Sequence, residues 1–165
     1  MAMENILTEQ LLLDELRRRV LTFAAAESCT GGLIAQRFTD LPGASAAFRG
    51  GVVSYTNDIK RDVLGVPQTL LDEYGAVSAP VAKAMAEGVR RITGADLAVS
   101  VTGVAGPDKD DRGNDVGTVY LAVSSAQGTV VESHHYSGNR RQIRHEAAGT
   151  AFSLLLQHTE EQPAT

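Results

Sequence analysis

Apolar residues follow two alternating patterns along this chain. Helical spacing, with apolar positions three or four residues apart, is found at 6–20, 79–93 and 139–158. Short apolar runs that are typical of buried strands are found at 21–26, 48–55 and 96–104. The last of these runs is apolar enough to favour a central position in a sheet. The pattern therefore predicts helices that alternate with strands.

Shorter elements complete the predicted order. Two strands at 116–125 and 129–136, separated by a turn that contains Gly128, predict a hairpin. The pair Gly50-Gly51 within a predicted strand indicates a bulge or a close backbone approach. Short helices are predicted at 33–40, 56–65 and 67–74. We expect an α/β fold, a single-domain three-layer α/β/α sandwich with a mixed, mainly parallel sheet and a late β-hairpin.

Length and hydrophobic content limit the domain organisation. A chain of 165 residues with 43% hydrophobic content can bury one core and is too short for two ordinary domains. We expect one domain over residues 1–165 with an ordered core at about 5–159. Residues 1–4 are expected to fray, and the tail from residue 160 is expected to be disordered.

Charge and cysteine content exclude further classes. The formal charge of −5 argues against a general nucleic-acid surface, which would need a basic stripe. Cys29 is the single cysteine, so an internal disulfide framework is excluded. The sequence contains neither a signal-peptide pattern nor an apolar run of membrane-spanning length. We therefore expect a cytoplasmic protein that binds neither nucleic acid nor membrane.

The most informative stretch is Glu27-Ser28-Cys29-Thr30-Gly31-Gly32, which lies between a predicted strand and a predicted helix. Amides exposed at a helix N-terminus form an anion site, and Ser28 would place a nucleophilic hydroxyl beside them. The alternative is that a hydroxyl side chain only caps the helix and that the glycines only form a turn. The stretch matches neither a Walker A loop nor a Gly-x-Ser-x-Gly nucleophile elbow.

A second stretch, Tyr55-Thr56-Asn57-Asp58-Ile59-Lys60, begins at the end of a predicted strand, where ligand sites of open α/β sheets collect. Lys60 could be a solvated cation and Tyr55 an edge-strand aromatic. A partly buried Lys60 would instead lose its proton more easily and could act as a general base. The Tyr55 hydroxyl could then relay that proton or donate to an oxyanion.

A third stretch, Val101-Thr102-Gly103-Val104-Ala105-Gly106-Pro107, ends the most apolar strand in small residues. Its glycines either form a turn or let backbone amides approach a ligand closely. Together with the turn at Ser28, it gives two small-residue loops at strand ends. Such loops are common in nucleotide pockets.

The motifs, in this order, resemble the CinA C-terminal-domain family over residues 11–156. The motifs that carry the resemblance are Glu27-Ser28-Cys29-Thr30-Gly31-Gly32, Ser54-Tyr55-Thr56-Asn57-Asp58-Ile59-Lys60, Tyr74-Gly75-Ala76-Val77-Ser78, Gly103-Val104-Ala105-Gly106-Pro107 with Val116-Gly117-Thr118-Val119, and Gly138-Asn139-Arg140-Arg141-Gln142-Ile143-Arg144. Larger members carry an additional N-terminal molybdopterin-binding-like domain. This chain has no room for that domain, so we expect the stand-alone form.

That family includes amidohydrolases that convert nicotinamide mononucleotide (NMN) to nicotinate mononucleotide and ammonia. The resemblance implies that Ser28 is the nucleophile, that Lys60 is its base, and that Tyr55 is a proton relay or orienting hydroxyl. It favours Ser28 over Cys29, for which we expect a buried packing role. It also implies a homo-oligomer, expected to be a dimer, that acts on a small-molecule nucleotide without a cofactor.

The implied reaction assigns further residues. Attack of a serine on a carboxamide needs a base and donors for the developing oxyanion, and it requires no metal. The amides of Thr30, Gly31 and Gly32 are the candidate donors, and residues 102, 103 and 106 would line the substrate pocket. Cations at the start of the last helix oppose its dipole, which favours a nearby anion, so we assign Arg140 to the substrate phosphate. A solvated arginine cluster is the alternative.

Neither histidine spacing nor the acidic segment indicates a metal site. His134 and His135 would point to opposite faces of a strand, and Arg112 interrupts a superficially calcium-like segment at 108–115. We interpret that segment as a solvated loop. It departs from the glycine-rich loop of many family members, which puts substrate choice in doubt.

Two other functions remain open at this point. The first is an amidase of the same mechanism that acts on a different small amide. The second is a non-catalytic nucleotide- or partner-binding module associated with competence or DNA damage.

Overall fold

The computed structural model describes residues 2–163 and the side chains of residues 7–163. The helices are α1 (Ala2–Arg19), α2 (Leu33–Thr39), α3 (Asn57–Asp62), α4 (Gln68–Tyr74), α5 (Ala79–Thr93) and α6 (Arg140–Glu160), with a 3₁₀ turn at Ala44–Ala46. The strands are β1 (Phe23–Glu27), β2 (Phe48–Val53), β3 (Leu97–Gly103), β4 (Thr118–Ser125) and β5 (Gly128–His135).

The five strands form one mixed sheet in the order β2-β1-β3-β4-β5. Both neighbours of β1 run parallel to it, whereas β3 pairs with β4 and β4 pairs with β5 in antiparallel fashion. The predicted hairpin is therefore present, and β3 lies at the centre of the sheet. The α/β fold with a mixed sheet and a late hairpin is confirmed.

Helices cover both faces of the sheet. On one face, α1, α2 and α6 pack around Phe23, Phe38 and Phe152, with the rings of Phe23 and Phe38 in edge contact at 4.7 Å. On the other face, α5 packs Val81 and Met85 against the small side chains of β1. Each of these side chains is fully buried, which contributes on the order of 2 kcal/mol apiece to stability.

The glycine pair in β2 forms both predicted features. Phe23 pairs with Phe48 but Ala24 pairs with Gly50, so Arg49 is the extra residue of a bulge. At Gly51, a Cβ atom would lie 2.8 Å from the carbonyl oxygen of Ala25, so only glycine fits there. The close approach keeps β2 paired with β1 up to Val53.

Helix boundaries differ from the predictions at the chain ends. α1 begins at Ala2, so residues 2–4 are helical rather than frayed, and residue 1 lies outside the described residues. α6 continues to Glu160, whereas residues 164 and 165 lie outside the described range. None of the helices within residues 2–163 combines the length and the apolar content needed to cross a membrane.

The parallel strands determine where the loops meet. Because β1, β2 and β3 run in the same direction, their carboxyl ends lie at one edge of the sheet. The loops that leave this edge begin at Ser28, Ser54 and Val104. Each of these loops contains residues of one of the three stretches that the sequence singles out. Ligands of α/β sheets bind at this edge.

Candidate active site

Ser28 and Lys60 meet at the carboxyl edge of the sheet. The amide of Ser28 donates to the carbonyl of Val101 at 2.9 Å, which fixes the residue against β3. Lys60 lies on α3, and its Nζ is 2.9 Å from Ser28 Oγ and 2.9 Å from the carbonyl oxygen of Ser54. The side chain of Lys60 is only 1% exposed. The predicted nucleophile and base are therefore in direct contact.

Burial changes the chemistry of Lys60. Loss of hydration disfavours the ammonium form and lowers the pKa of Lys60 from 10.5 to about 8. Among the described residues no carboxylate forms an ion pair with it. A neutral amine near pH 8 can accept the Ser28 proton, so this contact suits a general base beside a nucleophile.

A cavity of about 270 Å³ opens onto this pair. Seven of the residues that the sequence assigns to the site line it: Ser28, Tyr55, Lys60, Thr102, Gly103, Gly106 and Arg140. The Thr102 hydroxyl donates to the carbonyl of Ala76 at 2.8 Å, so it fixes the wall of the cavity. Gly103 has no room for a Cβ atom, which would lie 2.6 Å from a Val119 methyl group.

Arg140 connects two sides of the cavity. Its Nη1 donates to the carbonyl of Gly106 at 2.6 Å, and its Nη2 donates to Tyr55 Oη at 2.8 Å. Within residues 7–163, the Tyr55 hydroxyl forms no hydrogen bond with Ser28 or Lys60. β2 ends at Val53, which leaves Tyr55 half-exposed in the following loop. The predicted proton relay therefore lacks the contact it would need, whereas an orienting role through Arg140 has one.

The predicted amide donors do not reach the cavity. Thr30, Gly31 and Gly32 are absent from its lining, within the part of the chain that the structure describes. The Gly31 amide donates to the carbonyl of Ser28 at 3.0 Å, and Thr30 is fully buried. We correct the assignment of these residues to the substrate on this ground. Gly31 is exposed at the surface but lies outside this cavity.

Two charged side chains bind the backbone of this turn and of the helix that follows it. The sequence analysis missed both of these roles. The Glu27 carboxylate accepts from the amides of Ile34 and Ala35 at the start of α2, at 2.8 and 3.1 Å. Arg144 donates to the carbonyls of Cys29 and Thr30, at 3.0 and 2.9 Å. Gly32 precedes α2 and has no side chain that could cap the helix, so another acceptor has to serve the first helical amides. That requirement was the sequence signal that could have identified Glu27.

The acidic segment is anchored rather than wholly solvated. Asp108 and Asp110 line the cavity. The Asp110 carboxylate accepts from the amides of Arg112 and Asn114 and from Asn114 Nδ2, at 3.1, 2.7 and 2.7 Å. The guanidinium of Arg112 donates to the last carbonyls of α4, at residues 71–73. The interpretation as a solvated loop holds for the exposed Asp108 but is wrong for Asp110, whose carboxylate is bonded within the loop.

Side chains that prefer metals are dispersed. No group of three His, Cys, Asp or Glu residues in the described part of the chain could hold a metal ion. His134 pairs with Glu132 at 2.9 Å, and His158 pairs with Glu161 at 3.2 Å. The polar side chains that line the cavity carry hydroxyl, amine, guanidinium, carboxamide and carboxylate groups.

Cys29 is predicted to be chemically inert in the folded protein. It is buried, and burial raises the pKa of its thiol to about 12, so almost no thiolate is present at pH 8. We expect iodoacetamide at pH 8 to alkylate the folded protein about a hundred-fold more slowly than the denatured protein. Mass spectrometry of timed samples measures both rates, and equal rates would contradict the buried thiol.

Comparisons with known proteins identify the family of the chain. The CinA C-terminal domain family matches residues 6–159. A CinA-like protein of Geobacter sulfurreducens is 53% identical over 139 residues, which is 84% of this chain and 34% of that protein. A CinA-like protein of Desulfotalea psychrophila is 47% identical over 149 residues, which is 90% of this chain and 36% of that protein. The chain thus spans about a third of the length of these relatives.

Solved structures cover nearly the whole chain. The competence/damage inducible protein CihA from Agrobacterium tumefaciens superposes with a TM-score of 0.86 at 39% identity, over 91% of this chain and 94% of that one. A CinA superfamily protein from Klebsiella pneumoniae superposes with a TM-score of 0.93 at 26% identity, over 96% of this chain and 99% of that one. The resemblance stated from the motifs is confirmed, and the chain belongs to the CinA C-terminal domain family.

Proposed function

We propose that this chain is a serine amidohydrolase that converts NMN to nicotinate mononucleotide and ammonia. The observation that carries the proposal is the 2.9 Å contact between Ser28 Oγ and a buried Lys60 Nζ in the wall of a cavity. A lysine that is desolvated in this way can deprotonate a serine without a histidine. The amidohydrolases within the resembling family suggest the substrate.

The first half of the proposed reaction forms an ester at Ser28. Neutral Lys60 takes the hydroxyl proton while Ser28 Oγ attacks the carboxamide carbon of the substrate. The carbon–nitrogen bond then breaks, and the proton on Lys60 passes to the departing nitrogen, which leaves as ammonia. Lys60 is neutral again at the end of this half.

The second half regenerates the serine. Lys60 takes a proton from a water molecule whose oxygen attacks the ester carbon. The bond between that carbon and Ser28 Oγ breaks, and the proton on Lys60 returns to the serine. The carboxylic acid that forms loses its remaining proton to solvent and leaves as a carboxylate. The hydrogen bond from Lys60 to the Ser54 carbonyl holds the amine in place during both halves.

The oxyanion needs donors other than those first assigned. Cys29, Ala105 and Gly106 line the cavity, and within residues 2–163 their amides have no main-chain acceptor. The amide that directly follows a nucleophile is a common oxyanion donor. We therefore propose the Cys29 amide for this role, with the amides of residues 105 and 106, which line the same cavity, as further candidates.

The charges of the cavity suit a substrate that carries both signs. NMN combines an anionic phosphate with a cationic pyridinium ring. Arg140 offers a guanidinium for the phosphate. Asp108 offers a carboxylate that forms no hydrogen bond or ion pair within residues 7–163, unlike the fully engaged Asp110. We propose that Asp108 favours the cationic ring.

Asp108→Asn is expected to raise the KM for NMN about two- to five-fold, the size of an exposed charge interaction. The inhibition constant of the dihydropyridine form of NMN should not change, because that ring is uncharged. Asp111→Asn is the matched control, since Asp111 lies on the same loop but does not line the cavity. If Asp108→Asn changes the KM for NMN and the inhibition constant of the dihydropyridine form by the same factor, Asp108 does not select for the charge of the ring.

The proposed function is tested by ammonia release from purified protein with NMN, nicotinamide riboside and free nicotinamide. Because Arg140 is assigned to the phosphate, we expect release from NMN and at least about ten-fold slower release from the two compounds that lack it. If NMN releases no ammonia, the proposal fails. The alternatives would then be another small amide or a binding function.

A further inference from the structure

The turn that carries Ser28 is held by two charged side chains of opposite sign. We propose that Glu27 and Arg144 are positioning residues that fix the Ser28 hydroxyl against Lys60. The inference adds two residues to the site, and only its kinetic readout rests on the proposed function. It is carried by the four side-chain hydrogen bonds that these residues make to the main chain.

Glu27 holds the turn at its far end. Its side chain is buried, yet it comes from the last residue of β1 and reaches the amides of Ile34 and Ala35 across the whole turn. Its own carbonyl accepts from the amide of Ser54 at 2.8 Å, which ties the same residue to the loop after β2. A carboxylate at a helix N-terminus is stabilised by the helix dipole. The amides that an anionic ligand could use are therefore already occupied.

Arg144 holds the near end of the turn. It comes from α6, which is distant in sequence, and its Nε and Nη2 donate to two neighbouring carbonyls, those of Cys29 and Thr30. A guanidinium presents its donors in a rigid fork, whereas a lysine offers a single charged point. Arg144 follows Arg140 by one helical turn, so α6 supports the nucleophile and contributes to the cavity at once.

The two contacts together define the position of Ser28. Glu27 accepts hydrogen bonds from amides after the turn, and Arg144 donates to carbonyls within it. The Ser28 amide donates to β3. The turn contains two glycines with positive φ, so its backbone alone offers little stiffness. A nucleophile that is displaced by about 1 Å can lose on the order of a hundred-fold in rate. The hydrogen bonds of Glu27 and Arg144, which we call the clamp, therefore supply the rigidity that Gly31 and Gly32 do not.

The test uses Glu27→Gln and Arg144→Lys. Glutamine at position 27 keeps one acceptor oxygen but places an NH2 group against a backbone N–H. Lysine at position 144 replaces the two donors of the guanidinium fork with a single ammonium group. We expect kcat for NMN to fall about ten- to a hundred-fold while KM stays within about three-fold. Arg141→Gln is the matched control, because Arg141 is exposed on the same helix and forms no hydrogen bond within residues 7–163.

Hydrogen exchange supplies a readout that is independent of any substrate. In both variants we expect the amides of residues 29–35 to exchange at least about ten-fold faster, with no change in β3. Unchanged exchange in this segment, or a kcat within two-fold of wild type in either folded variant, would overturn the proposal. If Glu27→Gln unfolds, Arg144→Lys alone decides. If wild type releases no ammonia, the proposed function fails while the exchange comparison still judges the clamp.

Discussion

Ser28→Ala is expected to reduce ammonia release from NMN by on the order of a thousand-fold or more, because it removes the atom that forms the ester. The protein should remain folded. When residue 28 is alanine, its backbone amide can still donate a hydrogen bond to the Val101 carbonyl. Lys60 keeps its hydrogen bond to the Ser54 carbonyl. Initial rates at saturating NMN, together with a melting curve, measure both effects.

Ser54→Ala provides the matched serine control. The Ser54 side chain is buried, and its hydroxyl has no hydrogen-bond partner within the described residues. The carbonyl that Lys60 uses is unaffected by this change. We expect activity within about two-fold of wild type and no loss of stability, since an unsatisfied buried hydroxyl is removed. A Ser28→Ala protein that retains a tenth of wild-type turnover would exclude Ser28 as the nucleophile.

Lys60→Met is expected to lower turnover by about a hundred- to ten-thousand-fold, the usual contribution of a general base. Methionine fits the buried volume but cannot accept a proton. The same change should not destabilise the protein, because burying an ammonium whose pKa falls from 10.5 to about 8 costs about 3 kcal/mol, which offsets the lost hydrogen bonds. Activity and unfolding in denaturant are measured on one preparation.

The pH dependence follows from the same burial. Because the neutral amine is the base, kcat/KM should rise with pH and level off above about 8. Stability gives a second signature. The folded state releases the Lys60 proton at lower pH than the unfolded chain does. The free-energy cost of burying the ammonium is therefore constant below about pH 8 and disappears as the pH rises towards 10.5, so the free energy of unfolding increases over this range. A flat activity profile through pH 8, or wild type and Lys60→Met with parallel stability profiles, would contradict this assignment.

Ser28 and Lys60 could be predicted to lie in one region because both follow strand ends, whereas their roles as nucleophile and base were implied by the family resemblance. Strand direction and the apolar runs predict that the loops after β1, β2 and β3 meet, so Ser28, Lys60 and Gly103 were placed near one another without knowledge of side-chain contacts. The late hairpin was equally accessible from its alternating pattern. Local signals sufficed wherever a feature depended on one element or on the edge of the sheet.

The remaining contacts depend on packing between distant elements. The sequence places Arg144 only among the cations at the start of the last helix, whereas the position of α6 directs it onto the carbonyls of Cys29 and Thr30. Similarly, the hydroxyl of Tyr55 turned out to accept from Arg140, which is 85 residues away along the chain. Neither partner can be read from spacing, because both depend on how a helix docks. The expected dimer stays a prediction.

The central claim is that Ser28 carries the acyl group, and trapping that ester tests it most directly. Wild-type protein mixed with NMN is quenched in acid during the first turnovers and digested for mass spectrometry. We predict a nicotinoyl-nucleotide adduct on the peptide that contains Ser28, absent from Ser28→Ala and from protein mixed with nicotinate mononucleotide. Sustained ammonia release with no adduct at any quench time, and with turnover preserved in Ser28→Ala, would contradict the account.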